Sequence, residues 1–389
     1  MNIDQAINLH DFRDMARRQL PRIAFDFIDG GADDEVGLRR NRDAFERYAL
    51  LPRYLVGVEH REQSTSVLGR RYSSPVGISP TGMAGLFREG ADAMLAAAAR
   101  DADVPFMLSS ASNLALEEAA RIAPQHVWFQ MYWTRDERIN RDLVQRAIDA
   151  GIGVLVVSVD VPVNSNRERN RRNGFSRPFR MTPSVVLDAI GHPRWVLRYL
   201  KSGGVPMMPN WQPYGPDGAG PEQIADLYGT LTPAPEVSWD ALQWVRDTWK
   251  GPLVIKGLMH PDDVRLAADL GVQGVVVSNH GARQLDFAPS PVALLQEIRA
   301  AVGDRLDIMI DSGIRRGSDV LIARCLGARF CFFGRPTLFA VAAAGKAGAD
   351  KALSIIRREI DLVLGQIGCS RYDKLGPEFL RCIDGRRID

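Results

Sequence analysis

Very little in this chain points to a metal, a nucleic acid or a disulfide framework. Its 389 residues include only four cysteines, Cys325, Cys331, Cys369 and Cys382, all in the last quarter and without CxxC or zinc spacing. They suit a reducing compartment. No HxH, HExxH or paired-carboxylate ligand motif occurs, so no metal is expected. The formal net charge is +2, and basic clusters are not interleaved with aromatics, which argues against a nucleic-acid partner. The first twenty residues lack the apolar core of a signal peptide, and eighteen consecutive apolar residues never occur, so a cytoplasmic chain without a spanning helix is expected. A GxGxxG after the first strand, the mark of a dinucleotide fold, is missing, and so is a GxSxG nucleophile elbow.

What is present is a repeat of alternating character. Short apolar runs at 75–79, 105–110, 127–133, 153–160, 252–257, 274–279, 307–313 and 329–335 read as strands. Between them lie amphipathic stretches such as "EGADAMLAAAARDA" and "PDDVRLAADLG", with apolar residues every three or four positions and a closing glycine. Strand then helix, eight times, predicts a TIM (β/α)8 barrel occupying the whole chain, 1–389, as a single domain. Two parts fall outside the repeat. Residues 1–70 read as a helical segment ahead of the first barrel strand, and 171–235 form a long insertion between strands four and five.

Barrel chemistry collects where the strands end at their C-terminal side. There the chain places Ser109 and Ser110, Gln130 and Tyr132, Ser158 and Asp160, then Lys256 after "PLVI". Strand six opens into Ser278, His280 and Arg283; strand seven into Asp311 and Arg315; strand eight into Gly334 and Arg335. A lysine on a buried strand needs a charged partner, and a histidine followed by an arginine near another strand's carboxylate suits a base working on an acid. The glycine-rich turns after strands seven and eight suit a phosphate. His10, His60, His126 and His260 sit at loops or helix ends and read as structural.

The strings "SNHGARQLD", "LPRIAFDFIDGGADDE", "WFQMYW", "IKG" and "IDSGIRRGSDV" are similar to the FMN-dependent 2-hydroxy acid oxidising family, over residues 5 to 375. "NRERN" and "VVLDAIGHPRW" resemble its (S)-mandelate dehydrogenase branch. The resemblance implies FMN as cofactor and oxidation of an (S)-2-hydroxy acid, mandelate or a ring-substituted mandelate being favoured. An L-lactate dehydrogenase and an oxidase producing hydrogen peroxide are the alternatives. It implies His280 as base with Asp160 stabilising its imidazolium, Arg283 and Arg167 on the substrate carboxylate, and the Tyr132 hydroxyl facing the substrate. Lys256 is implied beside the electron-rich edge of the reduced cofactor. Pro80, Thr81, Gly82, Ser109, Gln130, Ser158 and Ser278 are implied as further FMN contacts, and Asp311, Arg315, Gly334 and Arg335 as ribityl and phosphate contacts.

Three positions depart from much of the family. Phe27 replaces a tyrosine whose hydroxyl helps to hold the carboxylate, a loss of roughly 1.5–3 kcal/mol. Gly82 stands where several oxidases have alanine, and Ala111 where glycolate oxidases have tryptophan. Within the insertion, residues 181–211 mix Val185, Leu187, Ile190, Trp195, Leu197, Leu200 and Met208 with Arg194, Arg198 and Lys201. By composition this is equally an interfacial anchor and a lid or subunit contact. The resemblance implies the former: a peripheral protein on the inner face of the cell membrane, passing electrons to a quinone or another respiratory carrier. It also implies a homo-oligomer, a tetramer.

Overall fold

A computed structural model describes residues 3–175 and 182–384. Eight parallel strands close into one barrel in chain order: β1 (Val76–Ile78), β2 (Phe106–Ser109), β3 (Val127–Tyr132), β4 (Val154–Ser158), β5 (Leu253–Lys256), β6 (Gly274–Val277), β7 (Asp307–Ile310) and β8 (Phe330–Phe333). The ring closes where β8 pairs with β1, Cys331 opposite Val76. All eight strands stand where the apolar runs predict them. Strands buried on both faces carry apolar residues at nearly every position, which is why they read as unbroken runs.

Side chains on alternate positions fill the barrel and the layer around it. Met107, Trp128, Val156, Val254, Val276, Met309 and Phe332 point inward and pack on one another. The outward set meets the helices α4 (Ala91–Asp101), α5 (Leu116–Ile122), α6 (Glu137–Asp149), α11 (Trp239–Thr248), α12 (Pro261–Asp269), α13 (Leu295–Val302), α14 (Gly317–Cys325) and α15 (Arg335–Gln366).

The segment ahead of the barrel differs in part from its sequence reading. It holds the helices α1 (Leu9–Gln19), α2 (Arg22–Asp29) and α3 (Val36–Asp43), but also strands. Thr65–Val67 and Arg70–Tyr72 form a hairpin whose Val67 and Tyr72 join the interior cluster. The Trp128 indole N–H donates to the Tyr72 hydroxyl at 3.1 Å, so this hairpin stoppers one end of the barrel. Tyr48–Leu50 pairs antiparallel with Leu380–Cys382 near the other terminus. Three-residue strands paired across such a distance carry no local periodicity to read.

The long connection after β4 contains α7 (Glu168–Arg172), α8 (Pro183–Ile190), α9 (Pro193–Lys201) and α10 (Pro221–Leu231). Helix α8 starts on a Thr182 cap with proline at its first position, and α9 also opens on proline. The pair splits the apolar residues of the insertion in two. Leu187, Ile190, Leu197 and Leu200 are largely exposed, whereas Val185, Trp195 and Met208 are buried. Trp195 therefore corrects its sequence reading as an interfacial anchor. Its ring stacks on Tyr199 with centroids 4.9 Å apart, and its indole N–H donates to the Leu86 carbonyl at 2.9 Å. Met181, where that stretch begins, lies outside the described residues. Among the described residues no helix is long and apolar enough to cross a membrane.

Candidate active site

With one end stoppered, the barrel opens at the C-terminal ends of its strands, into a cavity of about 830 Å³. Tyr132, Ser158, Lys256, His280, Asp311 and Arg335 all line it, each from the end of a different strand or the turn just beyond.

His280 stands at the centre. Its Nδ1 lies 3.0 Å from Asp160 Oδ1 and its Nε2 lies 3.4 Å from the Tyr132 hydroxyl. A carboxylate only accepts, so Nδ1 carries the proton and Nε2 keeps its lone pair. Burial pushes the imidazole below its ordinary range, and nearby Lys256 and Arg167 add to this against the pull of Asp160. The ring is thus neutral near pH 7. Burial also raises the Tyr132 phenol well above its ordinary value, which keeps it a hydrogen-bond donor.

Lys256 is buried, with 3% of its surface exposed. Its Nζ donates to Ser278 Oγ at 2.9 Å and sits 3.3 Å from Asp311 and 3.8 Å from Asp160. Burial opposes its charge, and the two carboxylates outweigh burial, so its pKa is raised. Asp311 also accepts from Ser79 at 3.1 Å. Ser79 ends the first apolar run, and reading that strand's last residue as the others were read would have found it.

Four arginines crowd one side of the cavity. Arg283 donates to the carbonyls of Phe27 (2.7 Å) and Gly30 (3.0 Å), and its guanidinium lies over the Phe27 ring, 5.1 Å from the centroid. Arg167 is tied to the same loop through Gln284 Oε1 at 3.0 Å and the Arg283 carbonyl at 3.3 Å. Arg335 donates to the carbonyls of Ile28 and Gly30. Burial and mutual repulsion push Arg283 well down, Arg315 to about 9 and Arg335 to about 10. The cavity lining carries more fixed positive than negative charge, which suits anions.

Pro80, Thr81, Gly82, Ala111, Phe27, Gly334 and Arg315 also line the cavity. Ser109, Gln130 and Ser278 are buried at the C-terminal ends of β2, β3 and β6. Several buried polar atoms have no partner: Thr81 Oγ1, Ser110 Oγ, Ser158 Oγ and both ends of the Gln130 amide. Orphaned donors and acceptors on this scale are costly, and a planar heterocycle with alternating carbonyl and N–H groups would satisfy them. Sequence reasoning missed the wall's aromatic side. Phe175 packs on Phe27 with centroids 4.7 Å apart, and Trp133 and, from the insertion, Tyr228 also line the cavity. Trp133 ends the third apolar run and could have been read as Ser79 could, but no spacing rule ties Phe175 or Tyr228 to the strand ends. Among the described residues no cluster of metal-ligating side chains occurs.

The chain is similar to known proteins along most of its length. A family model described as FMN-dependent dehydrogenase matches residues 16–382. The chain is 39% identical to (S)-mandelate dehydrogenase of Pseudomonas putida, over 96% of this chain and 93% of that protein. It is 37% identical to L-lactate dehydrogenase of Caulobacter sp. (strain K31), over 96% and 98%. The crystal structure of the monotopic membrane protein (S)-mandelate dehydrogenase superposes with a TM-score of 0.93 at 39% identity, covering 97% of this chain and 100% of that one.

Proposed function

The chain belongs to the FMN-dependent dehydrogenase family, and from that premise we propose that it oxidises an aryl-substituted (S)-2-hydroxy acid, mandelate or a ring-substituted mandelate, to the 2-oxo acid. The observation that carries this reading is His280 and Arg283 on one loop, facing a wall formed by Phe27 and Phe175. The base can reach a hydroxy-acid carbon while the guanidinium holds the carboxylate beside it and the aryl ring meets apolar surface. Gly82 and Ala111 leave the space that a larger pair would fill. L-lactate suits this wall less well, because Phe27 offers no hydroxyl to a small polar acid and lactate has no ring to recover the loss.

The orphaned atoms and the cation-rich end fit FMN. Pro80, Thr81, Gly82, Ser109, Gln130, Ser158 and Ser278 would hold its ring system, and Asp311, Arg315, Gly334 and Arg335 its ribityl phosphate. The chemistry that bound FMN supplies is acceptance of two electrons. The protein's own part is to hold and move protons. Arg283 and Arg167 fix the carboxylate, with Phe27 against the ring. Tyr132 donates a hydrogen bond towards the substrate, and His280 Nε2 takes the proton. Asp160 then stabilises the imidazolium, and Lys256 places fixed positive charge where negative charge develops. Under anaerobic conditions (S)-mandelate should bleach the visible flavin band, and L-lactate much less. Equal bleaching by both acids would overturn the aryl preference, and bleaching by neither would overturn the reaction.

The exposed face of α8 and α9 supports peripheral attachment to the inner face of the cell membrane, with a membrane quinone or another respiratory carrier as electron acceptor. Leu187, Ile190, Leu197 and Leu200 are flanked there by Arg194 and Lys201, the pattern of an interfacial helix. Exposed Tyr54, Leu55, Leu285 and Phe287 elsewhere support a homo-oligomer, read as a tetramer. Removing residues 181–209 should shift the protein from the membrane to the soluble fraction on cell fractionation while leaving the flavin spectrum in place. An unchanged partition would sink the attachment.

A further inference from the structure

The loop that presents His280 is in an unfavourable conformation. His280, Gly281 and Ala282 have φ of 57°, 65° and 58°, three left-handed residues in succession, two of them with side chains. Each non-glycine residue there costs about 1–2 kcal/mol, so such a run persists only where its surroundings over-determine it. At Gly281 a Cβ would lie 2.6 Å from Arg335 Nη1, so the guanidinium would have to shift to admit one.

What holds the loop comes from the far end of the chain. Asn279 uses every hydrogen-bonding position of its amide. Its Nδ2 donates to Asn41 Oδ1 at 2.7 Å and to the Pro289 carbonyl at 3.1 Å. Its Oδ1 accepts from Asn41 Nδ2 at 2.9 Å and from the Ala282 backbone N–H at 3.1 Å. Both asparagines are buried, and a reciprocal pair needs one side chain that donates and accepts side by side, as an amide does. Helix α3, which carries Asn41, is in turn wedged against the active-site loops. Asp286 accepts from the N–H groups of Val36 (3.1 Å) and Gly37 (2.7 Å) at its start. At Gly313, beyond β7, a Cβ would lie 2.2 Å from the Asn41 carbonyl.

We propose that Asn41 is a positioning residue for the base: through Asn279 it holds residues 280–282 in their left-handed path and so sets the His280 ring between Asp160 and the substrate. Asn41 lines no part of the cavity and acts only through the loop. The proposal rests on the reading of His280 as the base. The N-terminal segment is then part of the catalytic apparatus, and α3 serves as the brace that keeps a strained loop in register.

The test compares Asn41→Ala, the near-isosteric Asn41→Asp, Asn279→Ala and the double alanine variant with the unaltered protein, and with His280→Gln in parallel. Turnover is read per bound flavin with whichever 2-hydroxy acid reduces the unaltered protein. Asn41→Ala should lose roughly 10- to 100-fold in kcat with little change in KM, the scale of a small misplacement of a reacting group. The deuterium isotope effect at the substrate's C2 should rise, because cleavage of the C2–H bond becomes slower relative to the other steps whether that hydrogen leaves as a proton or as a hydride. The double variant should lose no more than Asn279→Ala alone, since the two side chains act as one unit. Asn41→Asp keeps the acceptor and loses the donor, so it should show the same isotope signature even if the alanine variant folds poorly. Lower melting temperature and flavin content with unchanged turnover per bound flavin would mean a purely structural role and would overturn the proposal. Wild-type turnover in His280→Gln would instead overturn the base itself, which separates the two failures.

Discussion

His280→Gln should retain its flavin and lose about 10² to 10⁴ in the rate of reduction by substrate. Glutamine can keep a donor towards Asp160, and the cation-rich side of the cavity is untouched, so the cofactor contacts survive. Glutamine has no basic lone pair to accept the proton, so the chemical step fails. Anaerobic stopped-flow bleaching of the flavin band measures this directly, and a rate within a few-fold of the unaltered protein would exclude His280 as the base. The pH profile carries a second check. A base works when neutral, and burial lowers the pKa of His280 from its ordinary 6.5. In the unaltered protein kcat/KM should therefore hold at pH 6.5 and fall only at more acid pH. The residual activity of the glutamine variant should lack that acid limb.

Lys256→Met should be the most destabilising single change at the site. Methionine fills much of the stem's volume but leaves Asp160 and Asp311 buried without the ammonium that lies 3.8 and 3.3 Å from them. Breaking a buried ion cluster from one side costs about 3–5 kcal/mol, because the remaining charges stay desolvated. Urea unfolding at pH 7.5 measures the loss. Without the lysine, the Asp160 carboxyl loses one of the two cations that hold it below its ordinary range, so it should titrate higher than in the unaltered protein. The folded variant then takes up protons as pH falls, so its deficit against the unaltered protein should shrink between pH 7.5 and 5.5. A loss below 1 kcal/mol, or a deficit that grows towards acid pH, would contradict a buried three-charge arrangement.

The barrel was legible because its strands are buried on both faces and announce themselves as apolar runs. The site was legible because a polar residue ending such a run has few reasons to be there other than chemistry. Lys256 after "PLVI" and Asp311 after "DIMI" illustrate this. Other features rest on pairings that leave no local trace. Tyr48–Leu50 meets Leu380–Cys382 across nearly the whole chain, and the Asn41–Asn279 amides join residues that look like ordinary helix and loop polar groups. Trp195 misled for a related reason. Composition identifies an amphipathic helix, but only packing decides which of its large residues turns inward.

The pairing of Cys331 with Val76 also fixes the order of events at synthesis. The ring cannot close until β8 has left the ribosome, and the anion-binding side depends on Arg335 just beyond it. A nascent chain that has made β1 to β7 therefore presents an open sheet with two unpaired edges and no complete cavity. Flavin capture has to wait for β8 and Arg335, and in a cell short of FMN the finished but empty barrel is the species left for chaperones and proteases to sort.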